Sequence, residues 1–188
     1  WLGLVGSEMC IRDRRKTKQL NKNKALTFFR RNEKETKEHN MIVDMERNDL
    51  SKICKTGSVK IDKLKKVEEY RDLFHYVTTI KGVIKNKMSN HDIISSLMPG
   101  GSVIGCPKIS TIQLLNRKEK FDRNIYTGSF GIIHSNGDMR FNIMIRTLLN
   151  FKNDIELSVA SGVILGSTAK KEYNENYIKA KSLLDLFN

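Results

Sequence analysis

Three apolar runs separated by two polar turns make up residues 125–164, IYTGSFGIIHSNGDMRFNIMIRTLLNFKNDIELSVASGVI. Each run is rich in the β-branched and aromatic residues that are typical of strands. The connections between the runs, Ser-Asn-Gly-Asp and Lys-Asn-Asp, have the composition of tight turns. The stretch therefore predicts an antiparallel meander of three strands, at residues 125–134, 139–149 and 155–164.

Helices and two further strands are predicted outside the meander. Residues 25–55 contain neither Gly nor Pro and favour one long helix or two abutting helices that end before Gly57. The other predicted elements, in chain order, are strands at residues 58–61 and 73–84, helices at 91–97 and 108–116, and a closing amphipathic helix at 169–186. The predicted fold class is α/β (α+β), with antiparallel strands.

Composition excludes several classes of protein. The 188 residues include 34 Lys and Arg against 21 Asp and Glu, which gives a formal net charge of +13. No run approaches the roughly 18 to 20 apolar residues of a membrane span, so we expect no membrane partner. Three cysteines without paired or metal-type spacing favour a cytoplasmic location over a disulfide-bonded secreted domain.

Much of the excess positive charge lies at the start of the chain. Residues 1–37 hold 11 basic and 4 acidic side chains, against 23 and 17 in the remainder. A nucleic-acid-binding module would interleave aromatic and basic residues over one face, yet only Phe28 and Phe29 lie in the early basic segment. We therefore expect no nucleic-acid partner and keep a basic nucleic-acid-binding module as the alternative to an enzyme.

The first residues lack the order of a targeting signal. An apolar stretch at residues 1–6 precedes a strongly basic stretch at residues 12–24, whereas a signal peptide has the reverse order. Residues 9–13, MCIRD, look like a translated sequencing-adapter read. We expect residues 1–14 to be a non-native leader, with a disordered basic arm as the alternative.

Two pairs of glutamates spaced three residues apart are candidate metal ligands. Glu35 and Glu38 share one face of the predicted first helix, and Glu172 and Glu175 share one face of the last helix. Mg²⁺ prefers oxygen ligands, so one glutamate from each helix could hold it. A solvated helix face is the alternative for each pair, and an i,i+4 ion pair with Glu175 is the alternative for Lys179.

Three other features suit an anionic ligand. The loop at residues 98–107 contains three glycines that allow close backbone approach, and Pro107 is suited to the first turn of the next helix. An ordinary structural turn explains that loop equally well. Arg146, on a predicted strand at residues 141–147, could grip a carboxylate or could be a solvated surface group. His75 is either a satisfied core residue or a catalyst.

The order of these motifs resembles the chorismate-utilising enzymes, the family of anthranilate, aminodeoxychorismate, isochorismate and salicylate synthases. The resemblance covers about residues 25–188. It rests on residues 38–50 (EHNMIVDMERNDL), His75, residues 99–108 (PGGSVIGCPK), 126–131 (YTGSFG), 143–147 (IMIRT) and 172–180 (EYNENYIKA). It implies a partial chorismate-utilising-enzyme fold with antiparallel β-sheets packed face to face and flanking helices, in which residues 15–188 form the C-terminal part of a catalytic domain.

A metal site is implied by the same resemblance. Glu38 and Glu175 match the magnesium ligands of the family. Glu35 and Glu172 match their outer partners, which act through water or hydrogen bonds. The implied cofactor is Mg²⁺.

Substrate-binding residues are implied as well. Tyr126 and Arg146 match the residues that hold a substrate carboxylate, and Lys179 matches a lysine that reaches the other end of the same region. Gly162 falls in a segment whose backbone amides receive a carboxylate. The usual glycine two places earlier is Ala160 here, which is a departure from the family pattern.

The implied reaction is a magnesium-dependent amination of chorismate to 4-amino-4-deoxychorismate. His75 matches the histidine near the ring hydroxyl, and Ser102 matches a hydroxyl in the glycine-rich loop. Ammonia would come from a glutamine amidotransferase subunit, the implied partner. Residues 99–102 (PGGS) and 137–142 (GDMRFN) favour this branch, and anthranilate synthesis is the alternative within the family.

Overall fold

Two units make up the chain, Trp1–Ser102 and Val103–Asn188. The computed structural model describes residues 3–8, 14–15, 21–69 and 73–185. Of the predicted leader, residues 1–2 and 9–13 lie outside the described residues.

Two abutting helices lie in the first unit, α1 (Lys22–Arg31) and α2 (Glu33–Ile53). The side chain of Asn21 accepts a hydrogen bond from the Lys24 N–H at 2.9 Å and caps the start of α1. Asn32 adopts an extended backbone between the helices and separates them. The prediction of helix in this region is confirmed, in its two-helix form.

A four-stranded antiparallel sheet in the first unit is organised around β4 (Leu73–Val83). Its partners are β1 (Gly3–Glu8), β2 (Arg14–Arg15) and β3 (Lys60–Glu69). Strand β3 is longer than the strand predicted at residues 58–61, because two register shifts let its charged stretch stay paired with β4.

The core of the first unit lies between α1 and the sheet. Ala25 and Phe29 from α1 are buried against Val67 of β3 and against Phe74 and Tyr76 of β4. The rings of Phe29 and Tyr76 stack, with centroids 4.9 Å apart and planes 9° apart. Burial of each large side chain contributes about 2 kcal/mol to folding.

Helix α3 (Asn90–Leu97) leads into the glycine-rich loop. Its start has a capping box, in which the Asp92 N–H donates to Ser89 Oγ at 3.1 Å and the Ser89 N–H donates to the Asp92 carboxylate at 3.0 Å. The loop itself contains a four-residue helix, α4 (Gly101–Ile104), that the sequence did not predict. Gly101 is buried close to Met45, where a Cβ would lie 3.3 Å from that side chain.

Two hairpins and two helices form the described part of the second unit. The helices are α5 (Lys108–Lys118) and α6 (Ala169–Leu184). The hairpins are β5 (Ser129–Ile133) with β6 (Met139–Ile143), and β7 (Leu148–Asn150) with β8 (Ile155–Leu157). Leu186, the predicted end of the last helix, lies outside the described residues.

The prediction of a three-stranded meander is wrong. Arg146 has a φ of +51°, outside the β region, and residues 144–147 belong to no strand, so the strand predicted at residues 139–149 divides into β6 and β7. The last predicted strand ends at Leu157. The predicted class, helices mixed with antiparallel strands, is confirmed. Among the described residues, no helix has the length and apolar character that a membrane crossing requires.

Candidate functional site

The backbone before α6 holds one predicted substrate-binding residue of the second unit. Lys179 Nζ, from α6, donates to the carbonyl oxygen of Ala160 at 3.2 Å. Tyr126, another predicted substrate-binding residue, lies in the turn before β5. The ammonium and phenol groups of these residues are both suited to binding a carboxylate.

Lys179 is held by a carboxylate as well as by the peptide. Its Nζ lies 3.0 Å from Glu175 Oε1, and both side chains are less than one-third exposed. This is the i,i+4 pair that the sequence offered as an alternative. An ammonium group has three N–H donors, and these contacts engage two of them. The cation is thus oriented before any ligand binds.

Tyr126 stays neutral near pH 7. Burial raises the pKa of its phenol above the ordinary value, although the Arg123 guanidinium acts in the opposite direction. That guanidinium lies over the ring, 5.9 Å from the centroid. A neutral phenol hydroxyl can donate its proton in a hydrogen bond to an anionic oxygen.

A shallow open cleft adjoins Tyr126. Its lining combines apolar and polar side chains: Ile125, Tyr126, Met144, Thr147, Leu149, Glu156 and Ser158. Arg146 lies in the bend between two of these residues, Met144 and Thr147, and is half-buried. The predicted strand position of Arg146 is wrong, but the bend brings its backbone next to the cleft.

Gly162 lies in the irregular segment between β8 and α6 and is exposed. Its neighbour Ser161 donates a hydrogen bond from Oγ to the carbonyl oxygen of Glu172 at 3.3 Å. The segment that contains Ala160 and Gly162 is therefore attached to α6 at two points, Glu172 and Lys179.

The four candidate metal ligands are divided between the units. Glu172 is buried in the first turn of α6, and Glu175 follows one turn later. Glu38 is half-buried on α2, and the side chain of Glu35 lies outside the described residues. Carboxylate oxygens are the ligands that Mg²⁺ prefers, so the chemistry of this donor set fits the ion. Within the described parts of the chain, no three His, Cys, Asp or Glu side chains converge on a metal-binding position.

The two candidate catalytic residues belong to the first unit. His75 lies in β4 opposite Glu68 of β3, and its side chain lies outside the described residues. Ser102 is half-buried in α4. Their catalytic roles stay predictions.

A buried histidine next to Glu38 was not among the predicted residues. His39 is 2% exposed, and its Nε2 lies 2.7 Å from Thr78 Oγ1, which also accepts the N–H of Lys65 at 3.0 Å. Burial, with a smaller effect of the Lys65 charge, lowers the pKa of His39 to about 4. The spacing of His39 from Ile42 and Val43 places all three on one helix face, which is the signal that could have found it.

The ion pair between Glu119 and Arg123 was also not predicted from the sequence. Two guanidinium nitrogens donate to the two carboxylate oxygens at 2.7 and 2.6 Å. This contact holds the pKa of Glu119 below its ordinary value and raises that of Arg123. The i,i+4 spacing of the two residues was the available signal in the sequence.

A protein-family profile and two curated proteins are similar to this chain. The profile of a family described as chorismate binding enzyme matches residues 12–185. The "Anthranilate synthase component I-like protein" of Synechocystis is 38% identical over 153 residues, 81% of this chain and 32% of that protein. "Aminodeoxychorismate synthase component 1" of Bacillus subtilis is 38% identical over 149 residues, 79% of this chain and 32% of that protein. The chain spans about a third of the length of these curated relatives.

Two solved structures are similar to this chain in fold. Anthranilate synthase component I from Streptococcus pneumoniae has a TM-score of 0.74 and 34% identity, covering 85% of this chain and 37% of that chain. The menaquinone-specific isochorismate synthase from Escherichia coli has a TM-score of 0.78 at 22% identity, covering 98% of this chain and 41% of that chain. The similarity to the isochorismate synthase extends the likeness in fold over 98% of this chain.

Proposed function

The chain belongs to the chorismate binding enzyme family, and on that premise we propose that the full-length gene product aminates chorismate to 4-amino-4-deoxychorismate. Ammonia from a glutamine amidotransferase subunit replaces the C4 hydroxyl group, which leaves as water. The observation that carries the proposal is the Lys179 ammonium group, which the Glu175 carboxylate and the Ala160 carbonyl oxygen hold in one orientation. A cation oriented in this way suits an anionic substrate.

Chorismate is a dianion, so its site needs cations and hydrogen-bond donors. Lys179 has one N–H beyond those directed at Glu175 and Ala160, and the Tyr126 hydroxyl can donate one more bond. Arg146, in the bend beside the cleft, supplies a planar guanidinium that suits a carboxylate. Exposed backbone at Gly162 offers an amide donor without a side chain in the way.

Magnesium belongs to the proposal as the cofactor. Glu38 and Glu175 would hold it, with Glu35 and Glu172 as outer partners. When bound, the ion supplies electrostatic stabilisation of the charge that develops as the C4 hydroxyl departs. Lys179 orients the Glu175 carboxylate at 3.0 Å, and burial restricts the motion of Glu172 one turn earlier.

Residues of the first unit complete the proposed chemistry. His75 would donate or accept a proton near the ring hydroxyl, a role for which imidazole side chains are suited. Ser102 would hydrogen-bond the substrate from the glycine-rich loop. The proposal also includes a cytoplasmic location, which the absence of paired cysteine spacing supports.

Anthranilate synthesis is the second candidate function. It is favoured by the Synechocystis relative, which carries that name and is as similar in identity as the aminodeoxychorismate synthase of Bacillus subtilis. In that case ammonia would attack C2 of the ring as the C4 hydroxyl leaves as water, and the same site would then eliminate pyruvate. The two activities share the substrate and the binding residues, and they differ in the ring carbon that receives nitrogen and in the loss of pyruvate.

The products distinguish these functions. The full-length gene product is incubated with chorismate, Mg²⁺ and ammonium, and the products are separated by liquid chromatography with fluorescence detection. We expect 4-amino-4-deoxychorismate without anthranilate. Anthranilate as the main product would establish the second candidate, and unchanged chorismate would refute both. Retained magnesium-dependent turnover in Glu38→Ala and Glu175→Ala would contradict the metal assignment.

A further inference from the structure

The ion pair beside Tyr126 has no part in the chemistry proposed so far. Arg123 Nε and Nη2 donate to the Glu119 carboxylate in a bidentate arrangement, at 2.7 and 2.6 Å. Only 23% of the Arg123 side chain is exposed, so solvent screens the pair less than an ordinary surface pair. A bidentate contact also restricts the direction of the guanidinium plane, which a single ammonium group cannot do.

The remaining guanidinium nitrogen reaches the turn that carries Tyr126. Arg123 Nη1 donates to Thr127 Oγ1 at 3.1 Å and to the Val103 carbonyl oxygen at 3.4 Å. The Thr127 hydroxyl in turn donates to the Tyr126 carbonyl oxygen at 2.6 Å. Arg123 therefore connects Glu119, at the end of α5, to the residue that follows Tyr126.

This turn needs support from outside its own backbone. Asn124 and Thr127 have φ angles of +49° and +64°, and the left-handed region is unfavourable for a β-branched residue such as Thr127. The Thr127 N–H donates to the Met144 carbonyl oxygen at 2.9 Å, and Arg123 holds the Thr127 side chain. Together these contacts determine the direction in which the Tyr126 side chain leaves the backbone.

The direction of Tyr126 matters because this residue lines the cleft and its hydroxyl is a proposed donor to a substrate carboxylate. The Arg123 guanidinium lies over the Tyr126 ring, 5.9 Å from the centroid. Four of the five guanidinium N–H groups point at protein oxygens. Arg123 is therefore placed to support Tyr126 and is poorly placed to bind a ligand itself.

We propose that Glu119 and Arg123 are a positioning pair that fixes the direction of the Tyr126 side chain and thereby sets the affinity for a carboxylate of chorismate. The inference rests on the proposed function for its substrate. Its structural part, the dependence of Tyr126 on the ion pair, does not require turnover.

A double-mutant cycle tests the link to Tyr126. In the full-length gene product, Arg123→Gln and Tyr126→Phe are made singly and together, and KM and kcat for chorismate are measured. We expect each single change to raise KM about tenfold, the usual effect of losing one hydrogen bond, with kcat changed less than about twofold. The double variant should have the KM of Tyr126→Phe alone. If the KM increase in the double variant equals the product of the increases in the two single variants, the proposal is overturned, because Arg123 then acts independently of the phenol.

Two further variants separate positioning from general loss of structure. Arg123→Lys should fail to restore KM, since an ammonium group cannot bridge Glu119 and Thr127 as the guanidinium does. Lys181→Gln removes another i,i+4 ion pair, that with Asp185 at 2.7 Å on α6, and should leave KM unchanged. A normal KM in Arg123→Lys, or a raised KM in Lys181→Gln, would contradict the assigned role.

Nuclear magnetic resonance of ¹³C-labelled tyrosine tests the structural part without substrate. The Cζ signal of Tyr126 is assigned by its loss in Tyr126→Phe. The chemical shift of this signal should change in Glu119→Gln and in Arg123→Lys and should stay the same in Lys181→Gln. An unmoved signal in the first two variants would overturn the positioning role. A wild-type protein that leaves chorismate unchanged would refute the proposed function and would leave this measurement valid.

Discussion

At the scale of single residues, Ala160 shows how a site can depend on backbone atoms. The family pattern has glycine at this position, and alanine is a departure from it. The residue is exposed, and its carbonyl oxygen accepts a hydrogen bond from Lys179. Because the backbone makes this contact, it does not depend on which side chain the residue carries.

Lys179→Met tests the cation that the Ala160 peptide orients. The change keeps most of the apolar stem and removes the ammonium group, so we expect KM for chorismate to rise roughly tenfold to a hundredfold, as a charged hydrogen bond contributes about 1.5 to 3 kcal/mol. Steady-state kinetics of the full-length gene product measure the effect. Lys181→Met on the same helix is the matched control, since Lys181 pairs only with Asp185 in the contacts described here. Equal KM values for the two variants would refute the role of Lys179.

His39 makes folding sensitive to acid. Its pKa is about 4 in the folded chain and near 6.5 when unfolded. The neutral ring is thus favoured by folding, and this stabilisation is complete above about pH 6.5 and is lost as the pH falls to about 4. The loss is about 3 kcal/mol. Urea unfolding of the full-length gene product at a series of pH values measures it.

His39→Gln provides the variant for that measurement, and His91→Gln is the control, because the His91 side chain is 88% exposed. The slope of unfolding free energy between pH 6.5 and 4 should be smaller in His39→Gln than in His91→Gln. Equal slopes would show that His39 does not carry the effect. If His39→Gln does not fold, the proton titration of His39 in the wild type, followed by nuclear magnetic resonance, should still give a midpoint near pH 4.

At the scale of elements, short-range sequence patterns predicted the positions of the helices well and those of the strands poorly. Helix α3 begins with a capping box that its own sequence specifies, since Ser89 and Asp92 satisfy each other's backbone groups. Strand β3 stays paired only through two irregularities, which depend on β4 and cannot be read from β3 alone. Helix formation uses bonds within the element, whereas strand formation requires a partner.

Ser89→Ala tests the contribution of the capping box to α3. Loss of the side-chain acceptor should lower the free energy of unfolding by about 1 kcal/mol. The midpoint of urea unfolding of the full-length gene product measures the change. Ser95→Ala is the control, because the Ser95 hydroxyl bonds the His91 carbonyl oxygen within the helix and caps nothing. A control that destabilises as much as Ser89→Ala would contradict the capping role.

At the scale of the whole molecule, the two units differ in how much apolar surface they bury. The first unit has a core of stacked aromatic and aliphatic side chains. Among the described residues of the second unit, Ala180 is the buried hydrophobic residue, whereas Phe121, Phe130 and Ile132 are 86%, 70% and 58% exposed. Two-stranded hairpins with exposed apolar faces are marginally stable in water.

We therefore expect the 188-residue chain by itself to aggregate. The purified chain should bind a hydrophobic dye and elute as large species in size-exclusion chromatography with light scattering. The full-length gene product, treated in the same way, is the control and should bind less dye. A cooperative and reversible melting transition of the 188-residue chain would contradict this expectation.

The sequence by itself determined the longer helices, the tight turns, the glycine-rich loop and the ordered motifs of the family, because each depends on residues close together in the chain. Only the tertiary structure decided that Arg146 lies in a bend, that His39 is buried against Thr78, and that the Ala160 carbonyl oxygen holds Lys179. Those features depend on residues far apart in sequence, and a contact between distant residues leaves no periodic pattern in either segment. Their positions follow from packing and from hydrogen bonds that form only in the folded chain.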